Sequence, residues 1–369
     1  MNVHISGSDQ KVVDAKVGIY DCDIHPMLKK SSDILTYLDK RWHPYAKHYM
    51  DFLRTPFLGP TPYPKASPAL SRRDAWPPAG GPPGSDLQFM QEQHLGPNGI
   101  ACGILQPLFP NASKQRNVEF AAAMCSAVNE WQRAEWTSKE PRLKASIMVS
   151  QEYPEAAVAE IEKWKDCSDF AQILLSPKTD EPLGYRRYWP IFEAASRYEI
   201  PVGVHVGGVS GRPSSAAGHS SYYIEEHHSQ VQAMQALTAN LVLEGVLERF
   251  KNLKLVFIES GVAWVPSLAW RLDKMWDKFR DEVEHLKRPP SEYIKEHFWF
   301  TTQPADEPER PQYLREVFDW IGWDRILFAS DYPHWDYDDP RYAIKLGISP
   351  TERQMVFHDN AHQLYQSRL

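Results

Sequence analysis

The segment Tyr20-Asp21-Cys22-Asp23-Ile24-His25-Pro26 follows the short apolar run Val17-Gly18-Ile19 and holds an acid and an imidazole two residues apart. If the run continues as a β-strand, its side chains alternate between two faces, so Asp23 and His25 point the same way. A carboxylate oxygen and a ring nitrogen in this arrangement can share one divalent cation, provided that the fold brings further ligands. A surface turn explains a single Asp-x-His triplet equally well, so the metal interpretation depends on the rest of the chain.

Three other apolar runs end at residues that can bind a metal or transfer a proton, and these residues are His205, Glu259 and Asp331. Each has an ordinary structural explanation when it is taken alone: a hydrogen-bonded histidine, a solvated loop acid, and a turn former before Tyr-Pro. Burying several carboxylates at one place costs several kcal/mol each unless a cation compensates them. Together, the strand ends therefore predict a metal site.

The elements that must position these residues repeat along the whole chain. The chain contains eight short apolar runs. The first is Val17-Gly18-Ile19, and the other seven are Gly99-Leu105, Leu143-Val149, Phe170-Leu175, Ile200-Val206, Leu253-Ile258, Phe298-Thr302 and Ile326-Ala329. Continuous apolar runs that alternate with helices indicate a parallel sheet buried on both faces. Eight such units favour an α/β fold of the closed (β/α)₈ TIM-barrel type over an open sheet, and no glycine-rich dinucleotide turn follows any run.

The intervening stretches have helical periodicity. They predict helices at Ser31 to Phe52, Ala121 to Trp136, Pro154 to Trp164, Trp189 to Tyr198, Gln232 to Phe250 and Pro266 to Phe279. Residues 54–86, after strand one, are instead rich in proline and glycine and cannot form regular structure. Their aromatic residues, Phe57, Tyr63 and Trp76, favour a packed lid over a linker. We thus expect residues 1–369 to form one barrel with a Pro/Gly-rich lid at 54–86.

Composition limits the classes of function. Of the 369 residues, 42% are hydrophobic and 24% are charged, which is typical of a globular protein, and the net charge of −7 disfavours nucleic acid as a partner. We find no run of roughly 20 apolar residues and no signal-peptide pattern, so we expect no membrane partner and a cytoplasmic protein. Four cysteines without CxxC spacing are expected to be reduced packing residues.

The strand-end motifs also resemble a known family. Asp23-x-His25, Val204-His205-Val206-Gly207-Gly208, Phe257-Ile258-Glu259-Ser260-Gly261-Val262-Ala263-Trp264 and Ser330-Asp331-Tyr332-Pro333-His334 occur in the order and spacing of the amidohydrolase-related branch typified by aminocarboxymuconate-semialdehyde decarboxylase. The resemblance implies a metal-dependent (β/α)₈ barrel and a homodimer. It also implies one divalent ion with the ligands Asp23, His25, His205 and Asp331.

Two departures from the family bear on the reaction. The first residue of strand one is Asp23 where His-x-His is frequent, and strand six carries Glu259 where many of the decarboxylases have a histidine. Three acids beside one divalent ion disfavour an anionic substrate, which favours hydrolysis of a small, cyclic or aromatic amide, ester, lactone or activated C–C substrate. A carboxy-lyase acting on an aromatic or muconate-type acid is the alternative, and a catalytically decayed binding module is the second alternative.

In the hydrolase interpretation, Asp331 binds the ion and acts as general base, Glu259 orients water or protonates the leaving group, and His334 makes a supporting contact. The mixed nitrogen and oxygen donors fit Zn²⁺, which we expect first, or Mn²⁺. Contacts to a small-molecule substrate are expected from Arg73, Trp76, Trp264 and Arg271. The loop after strand five, from Ser210 to His228, also contains His227 and His228, but a surface loop explains both equally well, so we leave them out of the ligand set.

Overall fold

The computed structural model describes residues 18–50, 70–108, 112–115, 117–207, 215 and 217–369. Its sheet has eight parallel strands in the order of the sequence, as predicted. The strands are β1 (Ile19–Ile24), β2 (Ile100–Leu105), β3 (Leu143–Met148), β4 (Phe170–Leu175), β5 (Val202–His205), β6 (Leu255–Ile258), β7 (Phe298–Thr301) and β8 (Ile326–Leu327).

The barrel closes between β8 and β1. His25 N donates to Tyr332 O at 2.8 Å, and Asp331 N donates to Asp23 O at 3.1 Å. Ile24 and Tyr332 also form an isolated parallel bridge. Two strand ends that are far apart in sequence are thus tied together, which brings Asp23 and His25 beside Asp331.

Helices surround the sheet. They are α1 (His43–Tyr49), α2 (Leu87–Met90), α3 (Val118–Gln132), α4 (Pro154–Trp164), α5 (Trp189–Arg197), α6 (Tyr223–Leu243), α7 (Val246–Arg249), α8 (Trp264–Lys278), α9 (Pro290–His297), α10 (Pro311–Ile321), α11 (Pro350–Gln354) and α12 (Asn360–Tyr365). Short 3₁₀ segments lie at Ser31–Thr36, Lys40–Trp42, Ala112–Lys114, Arg186–Tyr188 and Trp323–Arg325, and π-turns lie at Gln91–Leu95, Arg133–Thr137 and Met355–Asp359.

The single helix predicted from Ser31 to Phe52 is wrong over its described part, because it is broken into two 3₁₀ turns and α1. Asp39 is extended and its side chain accepts from the backbone of Arg41, which ends one turn and starts the next. Pro44 then occupies the first turn of α1, where its missing N–H costs little. The last residues of that prediction, Asp51 and Phe52, lie outside the described residues.

Helix α6 starts at Tyr223, well before the predicted Gln232. Its first two turns are rich in polar and charged residues, with Glu225, Glu226, His227 and His228 among them, so they lack the apolar stripe by which a helix is recognised from sequence. These turns run over the barrel mouth, and this places His227 there.

The core of the barrel contains, among its apolar side chains, a series of buried polar side chains joined by hydrogen bonds, which we call the buried polar chain. Tyr365 OH donates to Gln172 Oε1 (2.8 Å), Gln172 Nε2 to Ser146 Oγ (3.2 Å), and Ser146 Oγ to Gln106 Oε1 (3.1 Å). Gln106 Nε2 reaches the carbonyl oxygen of Cys22 in β1 at 3.2 Å. All of these side chains are buried, so the hydrogen bonds join α12 and four neighbouring strands through the core.

Residues 70–86, the described part of the predicted lid insertion, pack on the rim of the barrel; the preceding part, 54–69, lies outside the described residues. Ser71 pairs with His334, and Met27 N donates to Gly84 O at 2.8 Å. Gly84 has a φ of +77°, and a Cβ there would collide with the carbonyl oxygen of His25. This end of the insertion therefore lies directly against a predicted metal ligand.

Cys22, Cys102 and Cys125 are buried and Cys167 is partly buried, and all four are free thiols. Within the described ranges, we find no helix of sufficient length and apolarity to cross a membrane.

Candidate metal centre and active-site cavity

Five side chains from four strands meet at the C-terminal end of the barrel. Asp23 lies in β1 and His25 follows it, His205 is the last residue of β5, Glu259 follows β6 and Asp331 follows the short β8. Asp23 and Asp331 are fully buried, and the two histidines are 4% and 3% exposed. One donor atom from each of Asp23, His25, His205 and Glu259 lies within 4.8 Å of the others, and Asp331 joins this group through His25, so three of the four ligands that the family resemblance implies share one group with Glu259 and the fourth lies next to it.

The donor atoms of these side chains lie close to one another. His25 Nε2 is 3.1 Å from Asp23 Oδ1 and 2.8 Å from Asp331 Oδ1. His205 Nε2 is 3.5 Å from Asp23 Oδ2 and 3.2 Å from Glu259 Oε2. Donor atoms that share one ion at about 2.1 Å lie roughly 3–3.5 Å apart, so the spacing suits a single divalent cation.

Several of these buried atoms have no hydrogen-bond partner among the described residues. They are Oδ1 and Oδ2 of Asp23, Nε2 of His25 and Nε2 of His205. A buried polar atom without a partner costs about 1–3 kcal/mol, and a buried charge costs more. An ion coordinated by these atoms would remove that cost, so the residues present fit a divalent metal.

Hydrogen bonds to the backbone orient both imidazoles. The carbonyl oxygen of Gln106 lies 2.9 Å from His25 Nδ1, and that of Val206 lies 2.6 Å from His205 Nδ1. A carbonyl only accepts, so each Nδ1 carries the proton and donates it. In the neutral ring the lone pair then sits on Nε2, which faces the centre, as is typical of metal-binding histidines.

Two of the acids occupy backbone conformations that are costly for residues other than glycine. The φ angle is +57° at Glu259 and +61° at Asp331, in the left-handed region. Such a residue costs of order 1–3 kcal/mol, and such strain clusters at functional sites. The kink directs each carboxylate inward at the point where its strand ends.

The side chain of Asp331 contacts His25, His334 and Gln303. His334 Nδ1 donates to Asp331 Oδ1 at 2.6 Å, and Gln303 Nε2 donates to Oδ2 at 3.3 Å. The ring of His334 stacks on that of His25 with centroids 4.2 Å apart. His334, predicted as a supporting contact, thus lies between the Asp331 carboxylate and a histidine of the centre.

Two residues of the site were missed in the sequence. His227 Nε2 lies 3.3 Å from Asp336 Oδ2 and 3.9 Å from Glu259 Oε1. His227 was set aside as a loop residue, and Asp336 was not considered. The signal that points to Asp336 is its position five residues after Asp331, in the connection that follows a barrel strand, where catalytic residues concentrate.

A cavity of about 500 Å³ adjoins these residues. Aromatic and apolar side chains line much of it, among them Trp264, Trp335, Tyr223, Ile224 and Val206. His227 and Glu259 supply polar edges. Its size and lining suit a small ligand with a flat apolar body and a few polar groups.

Of the predicted substrate contacts, Trp264 lies on this cavity, with its indole Nε1 donating to the carbonyl of Ser260 at 2.9 Å. Arg73, Trp76 and Arg271 are exposed, and they are not among the described residues that line the cavity. Arg271 lies on the outer face of α8, because the helix turns its apolar residues inward.

The carboxylates of the site repel one another, and this repulsion shifts their pKa values. Burial, and then the carboxylates of Asp331, Asp336 and Asp23, raise the pKa of Glu259 well above its usual value. Burial also raises the pKa of Asp331, although the nearby imidazole of His25 opposes the shift. Burial and the proximity of His25 lower the pKa of His334 to about 3, so this imidazole is neutral. The cluster has an excess of acid that its own histidines do not balance.

This fold and this strand-end site define an enzyme of the amidohydrolase superfamily. Residues 20–366 match the sequence model of the amidohydrolase family, and the chain belongs to that family. Gamma-resorcylate decarboxylase of Polaromonas sp. (strain JS666) is 26% identical over 295 residues, which cover 76% of this chain and 88% of the relative.

Solved structures share the fold. An amidohydrolase from Mycobacterium avium subsp. paratuberculosis K-10 superimposes with a TM-score of 0.72 at 22% identity, covering 95% of this chain and 100% of the other. A second structure is a dihydroxybenzoic acid decarboxylase from Polaromonas sp. JS666, solved with bound manganese and the inhibitor 2-nitroresorcinol. It superimposes with a TM-score of 0.68 at 20% identity, covering 95% of this chain and 98% of the other. At these identities the likeness establishes the barrel alone.

Proposed function

We propose that this enzyme is a metal-dependent, non-oxidative decarboxylase of hydroxylated aromatic acids. The observation that carries the proposal is the set of buried donor atoms without hydrogen-bond partners beside an aromatic-walled cavity. The relatives favour this carboxy-lyase reaction over the hydrolysis expected first, because those named above include decarboxylases of dihydroxybenzoic acids.

In this proposal Asp23, His25, His205 and Asp331 hold one divalent ion. Their two imidazole nitrogens and two carboxylates fit Mn²⁺ and Zn²⁺ alike. The manganese bound in a similar decarboxylase favours Mn²⁺ here, although Zn²⁺ was expected first. When bound, the ion supplies a Lewis acid that stabilises negative charge on substrate oxygens.

The reaction needs one proton. The bond between the ring carbon and the carboxylate breaks, its electron pair stays on the ring carbon, carbon dioxide leaves, and the ring carbon takes up the proton. A ring hydroxyl next to that carbon makes it more basic by donating electron density. A positioned acid of the protein can then contribute typically 10²–10⁴-fold to the rate.

We assign the proton transfer to Asp331, assisted by His334. The Oδ1 atom of Asp331 is hydrogen-bonded to the imidazole of His334, so a proton can pass between the two side chains. His334 is 12% exposed and can take up a proton at Nε2 while it gives one from Nδ1. The pair can therefore restore the proton after each turnover.

The cavity walls orient the ring. Trp264 and Trp335 offer large apolar faces, and an aromatic substrate gains both burial and stacking there. Glu259, at the cavity edge, stands where many decarboxylases of the resembled branch have a histidine. It adds negative charge, and one extra like charge at 4 Å opposes an anionic substrate by about 4 kcal/mol at an effective dielectric of about 20. An aromatic acid thus needs more positive charge than one divalent ion supplies.

A substrate panel tests the proposal. The Mn²⁺-loaded enzyme is offered dihydroxybenzoates and carboxyvanillate-type acids in one set, and aryl esters, amides and lactones in the other. We expect carbon dioxide release from a member of the first set, with the ring product appearing in equal amount. Hydrolysis of the second set without carbon dioxide from the first would restore the hydrolase interpretation.

The decayed-barrel alternative loses its support, since the chain belongs to an enzyme family and keeps a group of metal-competent side chains, Asp23, His25, His205 and Glu259, at the barrel mouth. The homodimer and the cytoplasmic location expected from the sequence stay predictions.

A further inference from the structure

A second group of donor atoms lies beside the first. His227 comes from α6, Glu259 from the end of β6, and Asp336 from the connection after β8. One donor atom of each lies within 4.8 Å of the other two, and the His227–Asp336 distance is 3.3 Å. Glu259 belongs to both groups, because its Oε2 faces His205 while its Oε1 faces His227.

The second group contains a buried carboxylate oxygen that makes no hydrogen bond within the described residues. Asp336 Oδ2 is shielded from solvent and has no hydrogen-bond partner among the described residues, although His227 Nε2 is near. The group is not a surface cluster: Glu259 and Asp336 are each only 13% exposed. Both His227 and Glu259 line the 500 Å³ cavity, so an ion held here would face the ligand space.

Charge supplies the third argument. Asp23, Glu259, Asp331 and Asp336 are four carboxylates at one barrel mouth, and within the described residues every ion-pair partner found for them is an imidazole. When all four carboxylates are ionised and the imidazoles are neutral, one divalent ion leaves a formal balance of −4 + 2 = −2. A second divalent ion brings the balance to zero, which a carboxylate substrate can tolerate.

We propose that His227, Glu259 and Asp336 form a second divalent-cation site, joined to the first through the Glu259 carboxylate. This inference rests on the metal centre of the proposed function but not on its reaction. One nitrogen and two oxygen donors suit Mn²⁺ or Zn²⁺. The site gives an anionic aromatic acid a positive partner at the edge of the cavity.

Metal counting tests the inference. Chelator-stripped enzyme is titrated with Mn²⁺ up to about 1 mM, with free Mn²⁺ followed by electron paramagnetic resonance. We expect two Mn²⁺ per wild-type chain, one per chain in His227→Ala and in Asp336→Asn, and two in His228→Ala. His228 is the matched control, since it is the next residue of α6 and lines the cavity but belongs to none of the donor groups among the described residues.

A spectroscopic readout covers the case in which a variant folds poorly. Two Mn²⁺ ions joined by one carboxylate give a spin-coupled spectrum in the wild-type enzyme, and a single ion gives an uncoupled six-line spectrum. One uncoupled Mn²⁺ per wild-type chain, unchanged in His227→Ala, would overturn the second site and leave the first intact. No bound Mn²⁺ at all would overturn the second site together with the proposed function.

Discussion

His334 Nδ1 and Asp331 Oδ1 are 2.6 Å apart, and the His334 ring stacks on His25. The two residues are separated by three positions on a tight turn, in which the His334 backbone N–H donates to the Asp331 carbonyl at 2.8 Å. The sequence Ser-Asp-Tyr-Pro-His thus brings its own acid and imidazole together within one turn. This local pair is where we assign proton transfer.

The first prediction concerns Asp331→Asn. An amide keeps an oxygen for the ion but cannot deliver the proton, so we expect a 10²–10⁴-fold loss of kcat in decarboxylation with at least one Mn²⁺ still bound. His334→Gln retains a hydrogen-bond donor, so its loss of kcat should be smaller than that of Asp331→Asn. Turnover and metal content are measured on the same samples. Full activity in Asp331→Asn would remove Asp331 from the proton-transfer step.

The second prediction concerns Gly84. In Gly84→Ala the new methyl group collides with the carbonyl oxygen of His25, and the φ of +77° disfavours any side chain. We expect weaker Mn²⁺ binding and a lower Tm. Gly80→Ala is the matched control, because Gly80 has a similar φ of +82° but nothing within 4 Å of its Cβ position. Equal Mn²⁺ affinities in the two variants would mean that the insertion does not hold His25 in place.

The third prediction concerns the buried polar chain. Tyr365→Phe leaves Gln172 Oε1 without its donor in the core, which costs about 1–3 kcal/mol and lowers the Tm by roughly 1–4 °C. Tyr342→Phe, at a side chain that is 67% exposed, should leave the Tm unchanged. Thermal unfolding followed by circular dichroism measures both. A Tyr365→Phe protein with the Tm of the wild type would show that this series of buried hydrogen bonds contributes little to the stability of the fold.

The fourth prediction concerns metal removal. A ligand that binds only the folded state stabilises it by about 2.7 kcal/mol at 100 times its dissociation constant, so a chelator should lower the Tm of the Mn²⁺-loaded enzyme. Asp23→Asn removes a fully buried carboxylate of the centre, and its Tm should respond less to the chelator. Asp324→Asn, at a 58% exposed side chain, should respond as wild type does. Identical responses in all three proteins would argue against Asp23 as a ligand.

The barrel could be predicted because its strands are continuous apolar runs, a pattern set by burial on both faces. Phe170–Leu175 and Pro154–Trp164 were predicted at their observed bounds. The metal-competent residues followed from the same logic, since parallel strands deliver their ends to one rim. Asp23 and Asp331 meet because of strand order, which eight repeated units already imply.

His227 and Asp336 could not be predicted in this way. The first turns of α6 carry no apolar stripe, so periodicity gives no sign that His227 lies on a helix over the mouth. Asp336 lies in an irregular connection whose path depends on tertiary contacts. Arg73 and Arg271 are predicted as substrate contacts because a guanidinium can clamp a carboxylate, and the direction of a long side chain is not encoded in local sequence.

The central claim is that four distant strand ends coordinate a divalent ion in this enzyme. An anomalous difference map from crystals of the Mn²⁺-loaded enzyme tests it most directly. We predict a peak within about 2.0–2.4 Å of Asp23, His25, His205 and Asp331 donor atoms. A map without a peak at the barrel mouth, or with manganese bound only elsewhere, would contradict the account.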